Sequence, residues 1–87
     1  MGNWKVTSIT DRKGHQRVDG RYPDRVGRIC IKPNVRIGEE MVIQWIAKAD
    51  GTPYTGELVT SMAVGLIETV KKITVTTIHS IYTFEKA

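Results

Sequence analysis

The segment that decides the fold is Lys71-Lys-Ile-Thr-Val-Thr-Thr-Ile-His-Ser-Ile-Tyr-Thr-Phe-Glu-Lys86. It holds two β-favouring runs, Ile73–Thr77 and Ile81–Glu85, on either side of the short step Ile78-His79-Ser80. Val, Ile, Thr, Tyr and Phe fit a pleated, half-buried surface. Side chains alternate across a strand, so Ile73, Val75 and Thr77 share one face, and Thr74 and Thr76 the other. In the second run Tyr82 and Phe84 point one way, and Ile81, Thr83 and Glu85 the other. The pattern predicts a β-hairpin with a tight turn at Ile78–Ser80, where His79 supplies a residue that tolerates positive φ.

Upstream, Gly56–Val70 reads two ways. Val59, Met62, Ala63, Leu66, Ile67 and Val70 fall at helical spacing, whereas Leu58, Thr60, Met62, Val64 and Leu66 alternate. Gly65 and the many β-branched residues lower helix propensity. The expectation is therefore a strand, bent by a bulge near Thr60–Ser61 or Gly65. Before it, Lys48–Pro53 is turn chemistry, and Met41–Ile46 is a strand with Met41, Ile43 and Trp45 on one face. Its other face, Val42, Gln44 and Ile46, is also largely apolar, which fits a central or barrel-closing position. Val26–Ile31 reads as another strand, stopped by Pro33. Trp4–Ile9 reads as the first, with Trp4, Val6 and Ser8 on one face and Lys5, Thr7 and Ile9 on the other. Between these two, Thr10–Asp24 is a long polar loop rich in turn signals, with room for one turn of helix.

Five or six short strands in 87 residues predict one all-β domain over residues 1–87. The expected form is a small five- or six-stranded barrel or strongly curved antiparallel sheet, SH3-like. A chain of this size buries roughly 60–65% of its unfolded surface, which leaves little room for a deep catalytic cleft. At 40% apolar and 25% charged residues, the composition is that of an ordinary globular protein. Cys30 is the only cysteine, so no internal disulfide can form, and within Ile29-Cys30-Ile31 it reads as a small core residue. The N-terminus has no apolar signal core, and no stretch approaches the roughly 20 apolar residues of a membrane span. Met-Gly at the start does not complete a myristoylation signal, because Thr7 is the first hydroxyl. A cytoplasmic protein without a membrane partner is the expectation.

The closing residues carry a resemblance. Thr60-Ser61-x-x-Val64, followed by Ile73-x-Val75-x-Thr77-x-x-Ser80-x-Tyr82-x-Phe84, resembles short uncharacterised proteins of Gram-positive bacteria and their phages. Those end on a hairpin of the form I-x-V-x-T-x-N-S-x-Y-x-F/L, and here His79 stands in place of the usual Asn. The resemblance covers the C-terminal third and implies a bacterial or phage context without a known activity.

The catalytic patterns searched for are absent from the sequence. His15 and His79 lie 64 residues apart, with no H-x-x-x-H, C-x-x-C or carboxylate cluster at ligand spacing. Neither G-x-S-x-G nor a P-loop occurs, and Glu39-Glu40 would point to opposite faces of a strand. The expectation is a non-enzymatic protein with no metal and no cofactor.

Charge is the remaining signal. Residues 1–36 hold nine Lys/Arg against three Asp, a net +6, whereas residues 37–87 hold four Lys against six acidic residues, a net −2. Arg12, Lys13, Arg17, Arg21, Tyr22, Arg25 and Arg28 could contact phosphates through guanidinium forks and stack a base on the tyrosine. The bland alternative is that Asp11, Asp19 and Asp24, interleaved with them, pair locally. A second class of function uses the sheet, with Trp4 and Tyr54 as interface anchors or as core rings. The leading expectation is an accessory or interaction module acting through a protein partner or through self-association. The runner-up is nucleic-acid binding through the Arg12–Arg28 loop.

Overall fold

A computed structural model describes residues 3–87. Six strands, β1 (Trp4–Asp11), β2 (Ile29–Cys30), β3 (Glu40–Ala47), β4 (Pro53–Glu68), β5 (Lys72–Thr77) and β6 (Ser80–Lys86), run antiparallel in chain order. One turn of helix, α1 (Tyr22–Arg25), lies in the long loop between β1 and β2. The sheet closes because β6 pairs with β5 on one side and with β1 on the other. Closure joins the two ends of the sheet, with β2 contributing only two residues to the ring.

The closing hairpin forms as its alternation demands. Ile73, Val75 and Thr77 point inward opposite Phe84 and Tyr82, whose rings stack with centroids 6.5 Å apart. Only Ile78 and His79 make the loop, and no residue other than glycine among those described has positive φ, so His79 does not use the conformation expected of it. The turn is held by side chains instead. Ser80 N–H donates to Thr77 Oγ1 at 3.1 Å, and the Thr77 hydroxyl donates back to the Ser80 carbonyl at 3.1 Å. Ile78 N–H reaches the Met62 carbonyl of β4 at 3.0 Å.

The ambiguous segment 56–70 is strand through Glu68. β4 runs 16 residues, pairing with β3 through its first part and with β5 from Ala63 onward. The expected irregularities lie where it changes partner. Met62 opposes Glu40 while Val59 opposes Val42, which leaves an extra residue at Thr60–Ser61, and a second shift falls between Ala63 and Gly65. Bulges of this kind bend a strand and increase its twist. They are also why helical spacing appeared in the sequence, since each inserted residue moves the apolar phase by one.

Two strand assignments need correction. β1 carries a bulge between Val6 and Ser8, so Ile9, not Ser8, joins Trp4 and Val6 inside. β2 keeps only Ile29 and Cys30 of the expected Val26–Ile31. Gly27 at φ +95° turns the backbone out of the extended region, although Gly27 N–H still reaches the Val6 carbonyl at 2.7 Å.

The core comprises Trp4, Val6, Ile9, Cys30, Met41, Ile43, Trp45, Ala63, Ile73, Val75, Tyr82 and Phe84. Trp45 stands inside β3, as its pattern required, and Cys30 is a core residue. Burial pushes the Cys30 thiol up from 9.0 to about 12. It pushes the Tyr82 phenol from 10.0 to about 12, with Arg17 and Arg25 pulling the other way. Both groups are neutral at pH 7, and both resist ionising while folded. Their stabilisation is therefore intact below pH 9 and is lost as pH rises towards 12. Urea midpoints should be level around neutrality and drop by about 2–4 kcal/mol of stability at about pH 11. An unchanged midpoint there would contradict this burial.

Candidate functional site

The basic loop is built from local pairing. Asp11 Oδ1 accepts the N–H groups of Lys13 at 2.8 Å and His15 at 3.0 Å, and these bonds hold its carboxyl below the usual range. Its other oxygen lies 3.4 Å from His15 Nδ1. Arg17 pairs with Asp19 at 3.0 Å, donates from Nη1 to Ser80 Oγ at 2.7 Å, and stands 4.1 Å over the Tyr22 ring. Arg12 Nη1 donates to the Thr77 and Ile78 carbonyls at 3.3 and 3.4 Å. Arg12 and Arg17 thus fasten the loop to the β5–β6 hairpin.

The seven residues expected to meet nucleic acid are consequently divided. Arg12 and Arg17 serve the fold, and Tyr22, half-buried against the core, already carries the guanidiniums of Arg17 and Arg25 (5.2 Å). Lys13 and Arg21 are exposed, and Arg25 is half-buried. Arg28 points elsewhere. Its guanidinium carbon lies 5.2 Å from the Trp45 ring centroid and 4.8 Å from that of Tyr54. Of the two rings expected at an interface, Trp4 is 4% exposed and belongs to the core, so it is no surface anchor. Tyr54 is half-buried, packs on the core, and carries Lys48 Nζ at 5.6 Å as well as Arg28.

Lys48 lay outside the sequence-based set because it follows a strand of the acidic half of the chain. Only its position in the β3–β4 turn brings it to the ring and the cleft that Arg28 also lines. Pro23, Asp24, Val26, Arg28, Lys48, Ala49 and Asp50 line an open cleft of about 440 Å³ between α1 and that turn.

A second surface is apolar. On the outer side of β3 and β4, Val42 pairs with Val59 across the ladder, and Met62, Val64 and Ile67 continue the row. Val42 is 40% exposed, Val59 51% and Ile67 70%. Glu40 and Glu57 stand on the same side, paired with Met62 and Gln44. The signal for this surface was present in the sequence as apolar residues on both faces of Met41–Ile46 and Gly56–Val70. That pattern reads as burial on both sides, whereas the barrel buries only one.

Among the described residues no group of three or more His, Cys, Asp and Glu converges to hold a metal ion, and no helix is long and apolar enough to cross a membrane. Fold and surfaces together define a small closed antiparallel barrel with an uncovered apolar strip on β3–β4 and, beside α1, a cleft lined by Arg28 and Lys48 together with Asp24 and Asp50. No protein-family model, no curated protein and no solved structure matches this chain.

Proposed function

We propose that the protein is a non-enzymatic interaction module whose β3–β4 outer strip receives a protein partner. The observation that carries this reading is the row Val42, Val59, Met62, Val64 and Ile67, exposed on the outside of a closed barrel. Scattered apolar residues on a surface are ordinary, but a row that follows β4 from its pairing with β3 to its pairing with β5 is characteristic of interaction sites. Glu40 and Glu57 on the strip favour a partner with an apolar patch bordered by Lys or Arg. The resemblance of the closing hairpin supports a cytoplasmic role in bacteria or their phages, and the small barrel with its long β1–β2 loop supports the SH3-like reading.

The test pairs Val59→Glu with Ile67→Glu, both on the outer side. Completing the burial of either side chain contributes on the order of 1 kcal/mol, so each change should weaken partner binding by about tenfold. The thermal midpoint should move little, because neither residue is in the core. Crosslinking through a photoreactive residue at position 64, in cells of a bacterial host, should capture one protein that both variants lose. Sedimentation distinguishes that partner from a second copy of the chain. Identical capture by the variants and the parent would overturn the reading, as would no capture at all.

Nucleic-acid binding is the second reading, kept by exposed Lys13 and Arg21 beside half-buried Arg25. Replacing all three by Ala should flatten the dependence of binding on salt if nucleic acid is the ligand. No mobility shift at low salt would remove this reading.

A further inference from the structure

We propose that the cleft between α1 and the β3–β4 turn binds a single small oxyanion, a carboxylate or a phosphate group, on the Arg28 guanidinium and the Lys48 ammonium. The site is separate from the β3–β4 strip and does not depend on the interaction reading. Three observations carry it.

First, Arg28 Nε is buried without a hydrogen-bond partner among the described residues. A buried donor left unpaired is costly, and a charged one more so. Second, Arg28 belongs to none of the three ion pairs found among the described residues, which are His15–Asp11, Arg17–Asp19 and Lys32–Glu68. Third, Arg28 and Lys48 lie over one ring, Tyr54, at 4.8 and 5.6 Å. Both cations also line one cleft of about 440 Å³. An oxyanion in the cleft would accept from the guanidinium, whose planar donors match carboxylate and phosphate oxygens. The Tyr54 and Trp45 rings fix the guanidinium plane in advance, which lowers the entropy cost of binding.

Two carboxylates share the lining and set the selectivity. Asp50 Oδ1 accepts from Thr52 N–H at 2.9 Å, so this oxygen is turned towards its own turn. Thr52 holds the Asp50 carboxyl below its ordinary value, and Asp50 remains charged alongside Lys48. Asp24 is exposed on α1. Together they offset the two cations, so the cleft offers directed donors to one oxyanion group and no continuous cationic surface to an extended polyanion.

The experiment is a titration of the whole protein at low ionic strength, following the Arg28 Nε–Hε signal by NMR. The probes are inorganic phosphate, acetate and a short single-stranded oligonucleotide, with sodium chloride matched for ionic strength. Phosphate or acetate should move the Arg28 signal saturably in the millimolar range, and the tighter of the two identifies the class of group. Arg28→Lys keeps the charge but loses the fork. It has no Nε–Hε signal, so the amide signals of Ala49 and Asp50 report on it. Arg28→Lys and Lys48→Met should each weaken binding by about tenfold, and Arg21→Ala should leave it unchanged. A signal unmoved by both anions overturns the proposal, as does one moved equally by chloride. Tighter binding of the oligonucleotide than of either small anion also overturns it. If Arg28→Lys fails to fold, the parent titration together with Lys48→Met decides the matter.

Discussion

Phe84→Ala should cost about 3–5 kcal/mol and lower the unfolding midpoint sharply. Phe84 is fully buried in β6. It faces Val6 of β1 and Ile73 of β5, so it sits where the barrel closes. It also stacks on Tyr82, and truncation would leave a void between two strand pairs that cannot collapse independently. A domain of this length has a total stability of about 4–13 kcal/mol, so the loss is a large share of it. Chemical denaturation measures this directly. Phe84→Leu, which keeps most of the volume, should retain cooperative unfolding with a smaller loss. Equal losses for Ala and Leu would mean that the site is not packed as described.

Gly27→Ala should be the most damaging glycine substitution, at about 2–4 kcal/mol. Two effects coincide there. The residue has φ +95°, which costs any L side chain, and its added Cβ would stand 2.9 Å from Ala49 Cβ. Neither partner is a flexible side chain end, so backbone must move. Gly38 provides the control, because it has φ +91° but open space around the added atom. Gly38→Ala should therefore lose only the conformational part, about 1–2 kcal/mol. Comparable midpoints for the two variants would show that the β3–β4 turn does not press on Gly27. The same contact sets the wall of the Arg28 cleft, so Gly27→Ala should also disturb anion binding there.

The all-β class and the closing hairpin were legible because strand alternation and turn length are local properties. Ile73, Val75, Tyr82 and Phe84 announce their faces within a few residues of one another. The bend in β4 was legible for the same reason, as a break in alternation near Thr60–Ser61. What was not legible depends on pairing at a distance. The bulge in β1 is defined only against β6, and it decides whether Ser8 or Ile9 points inward. Gly27 shortens β2 by a dihedral angle that composition does not reveal.

The candidate sites divide along the same line. Seven residues close in sequence within the loop suggest one surface, but closeness in sequence does not fix closeness in space. The fold instead gives Arg12 and Arg17 to the hairpin and Arg28 to the aromatic pair of β3 and β4. Lys48, 20 positions beyond Arg28, shares the Tyr54 ring with it because β3 and β4 bring the turn back to that ring. Trp4 looked equally suited to core or interface, and the β1–β6 closure decided for the core.

The interaction reading requires that β1 and β6 be joined, since an open sheet would offer its edge before its face. The most direct measurement is a nuclear Overhauser spectrum of the backbone. The account predicts cross-strand contacts from Val6 to Phe84 and from Ile9 to Tyr82, together with Ile73 to Phe84 on the far side of β6. A spectrum holding the β5–β6 contacts without any between β1 and β6 would contradict it.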